Sequence, residues 1–250
     1  MATGGFRDTV KQLAGAQKDA SRSAPAYSRF VNRRIGRYLA AWAYRAGLSP
    51  NAVTGISALF TFTGIALLMA FAPSWWLGVA VTTLLVVGYA FDSADGQVAR
   101  LRGGGSPAGE WLDHMVDSAK VSSLPLALAI GFYRFKVVEV TWLLVPLAFS
   151  VVSAVLFFAM ILTDQLRRAH GATARPAGAR ESRMRSILVV PTDYGLLCLS
   201  FLLLGAVDAF LVVYSFLFLA TAGFLALASV RWFREMGLVG HRSATDTIEA

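Results

Sequence analysis

Residues 92–117 read DSADGQVARLRGGGSPAGEWLDHMVD and carry four aspartates, Asp92, Asp95, Asp113 and Asp117. Strongly apolar sequence lies on both sides of this stretch. A charge at the centre of a membrane costs roughly 2.5–3.5 kcal/mol, so ionisable residues between apolar spans are usually paired, face a cavity and carry function. We therefore expect this stretch to join two membrane helices and to contain the functional site.

The composition is that of an integral membrane protein. The 250 residues are 56% hydrophobic and 15% charged, which is not the balance of an ordinary soluble domain. The net charge of +8 comes from arginines beside the apolar spans, so we expect anionic membrane lipids rather than nucleic acid as the counter-charge. The one cysteine, Cys198, lies in an apolar run, which excludes an intrachain disulfide framework.

Six apolar segments predict an all-α integral membrane fold with six transmembrane helices. Each is close to the length of about 20 residues that crosses a bilayer. Ser49 or Asn51 is expected to cap the first span. The loop at 101–108 contains three consecutive glycines and a proline, so it cannot continue a helix. The six predicted spans are about 52–71, 77–99, 109–133, 141–162, 187–204 and 210–230.

The segments outside the spans complete the predicted organisation. We expect a flexible cytoplasmic tail at 1–25, one six-helix membrane domain at 49–232 and a second cytoplasmic tail at 233–250. Residues 26–48 place apolar side chains at three- and four-residue steps, with arginines between them. This pattern predicts an amphipathic juxtamembrane helix that lies at the membrane interface.

The distribution of positive charge predicts the orientation. With six spans, both termini and the loops after spans two and four share one side, and 20 of the 23 Lys and Arg residues lie there. Arg134 and Lys136 lie on the other side, and Lys120 lies inside span three. By the positive-inside rule the acidic stretch and both termini face the cytoplasm.

The four aspartates are expected to form one site between spans two and three. Asp92 and Asp95 lie one helical turn apart, and Asp113 and Asp117 are four residues apart, so each pair shares a helix face. The short loop makes the two helices antiparallel neighbours. Small residues at the facing positions allow close approach of the backbones: Gly96, Ala99 and Gly109.

Gathered carboxylates need compensating positive charge, and Arg100 cancels only one of the four. Hard divalent ions such as Mg²⁺ or Mn²⁺ prefer carboxylate oxygen, and one or two of them fit this set. Two would leave the site slightly positive, as a diphosphate requires. Two other roles for the aspartates are less well supported. A structural ion-pair network would need more cations than lie nearby, and a proton or cation pathway would spread the acids across the membrane instead of clustering them near one face.

The pattern Asp92-x2-Asp95-Gly96-x2-Ala99-Arg100-x8-Gly109-x3-Asp113-x3-Asp117 resembles the complete signature of the CDP-alcohol phosphotransferase family. All eight fixed residues match over 26 positions. The resemblance implies six transmembrane helices, a cytoplasmic active site, an amphipathic amino-terminal helix and a homodimer. It also implies transfer of a phosphatidyl group from a CDP-alcohol, usually CDP-diacylglycerol, to an acceptor alcohol, with release of CMP in phospholipid biosynthesis.

The same resemblance implies a role for each motif residue. Asp92, Asp95 and Asp113 would be metal ligands, and Asp117 would be both a ligand and the base for the acceptor hydroxyl. Two Mg²⁺ or Mn²⁺ ions would neutralise charge on the leaving CMP. Six residues are the candidates for CDP binding: Gly96, Ala99, Arg100, Gly109, Asn51 and Thr54.

The acceptor, a small alcohol or a sugar phosphate, stays open. Relatives that use a phosphorylated acceptor tend to carry basic residues near the cytoplasmic end of span four, and residues 159–165 of this chain contain none. Either Arg167, Arg168 and the arginines at 180–185 replace them, or the acceptor is an uncharged alcohol. Two other polar residues are expected to have structural roles. Lys120 is expected to pair with Asp117, and Asp193 is expected to cap span five.

Two other classes of function remain open at this stage. An intramembrane prenyltransferase also binds diphosphate through aspartate-bound Mg²⁺, but it needs a second acidic motif, and Asp164, Asp193 and Asp208 lack such a spacing. A non-enzymatic membrane ion carrier or scaffold is the other class. Metal-dependent production of CMP separates the phosphotransferase from both.

Overall fold

The computed structural model describes residues 5–16, 27–170 and 193–246. Regular structure in this part of the chain is helical throughout, which confirms the expected all-α class. Some predicted features lie outside the described residues. They are parts of the amino-terminal tail at 1–4 and 17–26, most of the arginine-rich loop with the start of the fifth span at 171–192, and the end of the carboxyl-terminal tail at 247–250.

The described residues form eight α-helices. They are α1 Phe6–Ala16, α2 Arg33–Arg45, α3 Pro50–Ala70, α4 Trp75–Leu101, α5 Pro107–Arg134, α6 Leu144–Ala169, α7 Tyr194–Ser200 and α8 Val207–Asp246. A π-helical turn, Ser28–Asn32, precedes α2. Two 3₁₀ turns, Val140–Leu143 and Phe201–Gly205, precede α6 and follow α7.

Five of these helices are long and apolar enough to cross a membrane. They are α3, α4, α5, α6 together with its 3₁₀ turn, and the part of α8 up to Gly237. They coincide with predicted spans one to four and six, with ends that differ by up to seven residues. The stretch Tyr194–Gly205 is apolar but shorter, and it overlaps the second part of the predicted fifth span.

Serine caps set the starts of three membrane helices. The side chain of Ser49 accepts a hydrogen bond from the Ala52 amide at 3.1 Å, so Ser49 rather than Asn51 caps α3. Ser74 caps α4 in the same way, and Ser106 caps α5 through the Gly109 amide at 3.1 Å. Helix α5 therefore begins at Pro107, two residues before the predicted start, because proline is tolerated in a first turn.

The amino-terminal region differs from the expected flexible tail. Residues 6–16 are helical, and Leu13 on this helix is only 2% exposed. It belongs to a cluster with the fully buried Ala40, Val53 and Val98, so α1 has an apolar face that packs on α2 and the start of the membrane domain. At the other end, residues 233–246, expected as a tail, continue helix α8.

Helix α2 packs on the protein mainly through small residues, with Leu39 partly buried beside them. Ala40, Ala41 and Ala43 are fully buried, and the backbone at Gly36 lies against Ser93 and Ala90 of α4. Four apolar side chains at the predicted three- and four-residue steps are exposed: Val31 in the preceding π-helical turn, and Ile35, Tyr38 and Trp42 in α2.

Asp193 ties the segment before α2 to the start of α7. Its carboxylate accepts a hydrogen bond from the Gly195 amide at 3.0 Å, which confirms the predicted cap. It also accepts from the amides of Tyr27 at 2.8 Å and Ser28 at 3.3 Å. The side chain is buried, and three N–H donors replace the water that an ionised carboxylate would otherwise bind.

Gly131→Ala is expected to destabilise the fold. A Cβ at Gly131 would overlap the carbonyl oxygen of Leu68, a backbone atom of α3 that cannot move aside by changing rotamer. We expect a loss of about 1–3 kcal/mol, measured as a lower midpoint of thermal unfolding in detergent.

Gly55→Ala is the matched control for this variant. It also lies inside a membrane helix, but a Cβ there would meet no atom within 4 Å. We expect unchanged or slightly increased stability, since alanine favours a helix over glycine by about 1 kcal/mol. Equal unfolding midpoints for the two variants would contradict the close approach of α3 and α5.

Candidate active site

The carboxyl-terminal part of α4 and the amino-terminal part of α5 meet at one end of the helical bundle. The connection between them, residues 102–106, includes Gly103 and Gly104 with φ of 95° and 129°, a backbone region that favours glycine. This tight turn makes the two helices antiparallel. The carboxylates of Asp92 and Asp117 meet, but α3 rather than α5 is the close packing neighbour of α4. The close backbone approach expected at Gly96 and Gly109 is not seen, because a Cβ at either glycine would meet no atom of the opposite helix.

Three of the four predicted aspartates come together. Asp92, Asp113 and Asp117 each offer a carboxylate oxygen, and these oxygens all lie within 4.8 Å of one another. All three side chains are partly buried. We call Asp92, Asp113 and Asp117 the carboxylate cluster.

Asp95 lies outside the carboxylate cluster and is held by α3. The Thr54 hydroxyl donates a hydrogen bond to Asp95 Oδ2 at 2.7 Å. Both residues are buried, with Asp95 only 7% exposed. Thr54, predicted as a nucleotide-binding residue, thus contacts an aspartate of the motif directly.

Lys120 reaches into the carboxylate cluster from α5. Its Nζ donates to Asp117 Oδ1 at 2.8 Å, as predicted, and also forms a close ion pair with Asp92 Oδ1. A third, longer bond goes to Ser57 Oγ on α3 at 3.4 Å. The ammonium group therefore connects three helices at this point.

The remaining predicted nucleotide residues lie around the same helix ends. An added Cβ at Gly109 would come within 3.2 Å of Asn51 Oδ1, so the start of α3 lies against the start of α5. The Arg100 guanidinium lies beside Gly96, 3.8 Å from where a Cβ would stand. Ala99 is partly buried and Arg100 is exposed.

The two arginines near the end of α6 are bound to carboxylates. Arg167 forms a two-point ion pair with Glu235 of α8, at 2.8 and 2.9 Å, and also contacts Asp164 at 2.8 Å. Arg168 donates to Glu110 Oε1 at 2.6 Å. Glu110 and Glu235 were missed in the sequence because they lie 58 and 68 residues from their partners.

An apolar cavity of about 160 Å³ lies among α5, α6, α7 and α8. It begins one helical turn beyond Asp117, at Val121. Most of its lining is hydrocarbon, from residues that include Leu124, Phe149, Leu156 and Leu217.

Comparison with known proteins decides the family. The CDP-alcohol phosphatidyltransferase family matches residues 48–232, about three quarters of the chain. The chain belongs to the CDP-alcohol phosphatidyltransferase family. Membership confirms the resemblance seen in the motif and agrees with the expected class of membrane phosphotransferase.

One known protein is similar to part of this chain. CDP-diacylglycerol–serine O-phosphatidyltransferase of Encephalitozoon cuniculi (strain GB-M1) is 34% identical over 92 residues, which cover 34% of this chain and 24% of that protein. The match thus spans about a quarter of that relative's length.

A solved structure at low sequence identity has a related fold. The crystal structure of phosphatidylinositol phosphate synthase of Mycobacterium tuberculosis with CDP-DAG bound superposes with a TM-score of 0.53 at 22% identity, over 79% of this chain and 90% of that one. A second structure, with manganese and citrate, gives 0.49 at 20% identity, over 78% and 87%. The first of these agrees with the all-α membrane fold.

Proposed function

We propose that this chain transfers a phosphatidyl group from CDP-diacylglycerol, or a related CDP-alcohol, to the hydroxyl of an acceptor alcohol and releases CMP. The carboxylate cluster carries the proposal, because its residues are three of the four aspartates of the family motif and their oxygens lie within 4.8 Å of one another. The family match over 48–232 supports the same reaction and disfavours the prenyltransferase and carrier alternatives.

The donor set fits a hard divalent cation. Mg²⁺ and Mn²⁺ are bound in proteins chiefly by carboxylate oxygens, and a compact group of them is what the carboxylate cluster offers. We propose that its three aspartates and Asp95 hold two such ions. When bound, these ions would neutralise the charge that develops on the CMP phosphate.

Asp117 is proposed as the base for the acceptor. The acceptor oxygen attacks the phosphatidyl phosphorus, the bond from that phosphorus to the CMP oxygen breaks, and the hydroxyl proton passes to Asp117. A carboxylate has two oxygens, so one oxygen of Asp117 can bind a metal ion while the other takes the proton.

The CDP part is proposed to lie over the ends of α3, α4 and α5. Gly96, Ala99 and Gly109 give room for the nucleotide, and Arg100 provides a charge partner for a phosphate. Asn51 and Thr54 are placed at the same helix ends, beside Gly109 and Asp95. The apolar cavity beyond Val121 is suited to part of a lipid chain.

The membrane arrangement is also proposed. We infer six spans, with Tyr194–Gly205 as the described part of the fifth, and a cytoplasmic site and termini, from the distribution of Lys and Arg. The exposed apolar side chains of α2 support a position in the membrane interface. We also propose one membrane domain with two tails, from the sequence pattern, and a homodimer, from the family resemblance.

The full chain in detergent is expected to release CMP from CDP-diacylglycerol only with Mg²⁺ or Mn²⁺ and an acceptor. Asp117→Asn is expected to fold and to lower the rate of CMP release about 100-fold or more, because it removes the proton acceptor. The control is Asp208→Asn, an exposed aspartate in the first turn of α8, which should keep the full rate. Undiminished rates in chelator, or in Asp117→Asn, would contradict the metal or the base assignment, respectively.

The acceptor is proposed to be an alcohol without a phosphate group. Arg167 and Arg168 are the described arginines nearest the end of span four, and both are held by carboxylates. The two-point pair of Arg167 with Glu235 uses the same guanidinium donors that would bind a phosphate. A phosphorylated acceptor bound by Arg167 or Arg168 would have to compete with these carboxylates.

Among acceptors, we expect phosphate-free alcohols such as inositol, serine or choline to support faster release of CMP than inositol phosphate or glycerol phosphate. Arg167→Gln should lower stability by about 0.2–1 kcal/mol and leave the acceptor KM unchanged. The proposal of a phosphate-free acceptor would be contradicted if only phosphorylated acceptors supported CMP release and Arg167→Gln raised their KM. The absence of CMP with every acceptor would instead contradict the proposed reaction.

A further inference from the structure

Lys120 is a buried cation that the proposed reaction does not use. It is only 4% exposed, and lysine is almost never buried to this degree unless it is paired. The family motif ends three residues earlier, at Asp117. The motif therefore does not explain why Lys120 lies among the aspartates.

The contacts of Lys120 account for all three protons of an ammonium group. The acceptors are Asp92 Oδ1, Asp117 Oδ1 at 2.8 Å and Ser57 Oγ at 3.4 Å. Ser57 is itself fixed, because its hydroxyl donates to the Gly88 carbonyl oxygen at 2.8 Å. Lys120 is thus held in one position by groups on α3, α4 and α5.

The carboxylates that bind Lys120 belong to the carboxylate cluster. Asp92 and Asp117 both offer an oxygen to that cluster, and both give one oxygen to the ammonium group. Asp113, the third member, lies nearer the start of α5 and two helical turns from Lys120 in sequence. Lys120 therefore occupies the deeper side of the cluster.

We propose that Lys120 is a tethered cation that competes with the divalent ion for Asp92 and Asp117. This inference rests on the metal site of the proposed function. Without metal, the ammonium group relieves the repulsion between the two carboxylates and keeps α4 and α5 together. With metal bound, the same positive charge repels the ion, so the side chain sets a weaker affinity than the aspartates alone would give.

An orienting role for Lys120 has the opposite consequence. If the lysine only held the carboxylates in place, its removal would weaken metal binding, as the loss of groups that orient metal ligands does. The site is largely shielded from water, and the ammonium group lies only a few ångströms from where a divalent ion would bind. We therefore expect their repulsion to be a larger effect on metal affinity than the orientation of the carboxylates. The sign of the change in affinity therefore distinguishes the two roles.

The test compares binding of Mn²⁺ alone to the full chain and to Lys120→Met, in detergent, by electron paramagnetic resonance of the free ion. We expect Lys120→Met to bind Mn²⁺ about tenfold or more tightly than the parent chain, because the competing charge is gone. Thermal unfolding in chelator should show a lower midpoint for Lys120→Met than for the parent, and saturating Mn²⁺ should remove that difference.

Two further variants keep the test decisive. Lys136→Met removes an exposed lysine just beyond the far end of α5 and should leave Mn²⁺ affinity unchanged. Lys120→Arg keeps the charge and should keep the weaker affinity. If Lys120→Met does not fold without metal, it can be purified in Mn²⁺ and its affinity measured by competition with a chelator.

The outcomes separate the two proposals. Equal or weaker Mn²⁺ binding by Lys120→Met, beside clear binding by the parent, would overturn the competing-cation role and leave the metal site intact. No Mn²⁺ binding by either protein would overturn the metal site itself.

Discussion

Repulsion among carboxylates that are partly withdrawn from water is the constraint on which the rest of the structure depends. The carboxylate cluster places three oxygens within 4.8 Å of one another, and Asp95 lies nearby. At such separations near a protein surface, two like unit charges repel by about 4 kcal/mol. Lys120 compensates part of this charge, the Thr54 hydroxyl solvates Asp95, and a divalent ion would neutralise what remains.

Helix α3 holds this charged arrangement together although it contributes no aspartate. Thr54 and Ser57, one turn apart on α3, bond Asp95 and Lys120, and Ser57 also bonds the backbone of α4 at Gly88. These contacts require close packing, which a Cβ at Gly88 would prevent because it would overlap the Thr61 hydroxyl. The polar face of α3 thus fixes the relative positions of the aspartates on α4 and the lysine on α5.

The membrane helices and the shared face of Asp113 and Asp117 could be predicted because local sequence determines them. The expected four-aspartate site was correct for three residues, and the separate position of Asp95 could not be predicted because it depends on Thr54 of α3. Apolar length gives the spans, and the spacing of Asp113 and Asp117 puts both on one face of α5. The pairing of Lys120 with Asp92 could not be predicted, since it depends on how α4 is rotated against α5. The same holds for Arg167 with Glu235, which are distant in sequence. The burial of Leu13, from a segment expected to be flexible, depends on an apolar face presented by α2.

The central claim is that the carboxylate cluster binds a divalent metal ion. Anomalous diffraction from crystals of the full chain grown with Mn²⁺, collected near the manganese absorption edge, tests this claim most directly. We predict an anomalous peak within coordination distance of the carboxylate oxygens of Asp92, Asp113 and Asp117, with the Lys120 ammonium group moved away from at least one of its carboxylates. A well-ordered site without such a peak, or manganese bound only elsewhere on the protein, would contradict the account.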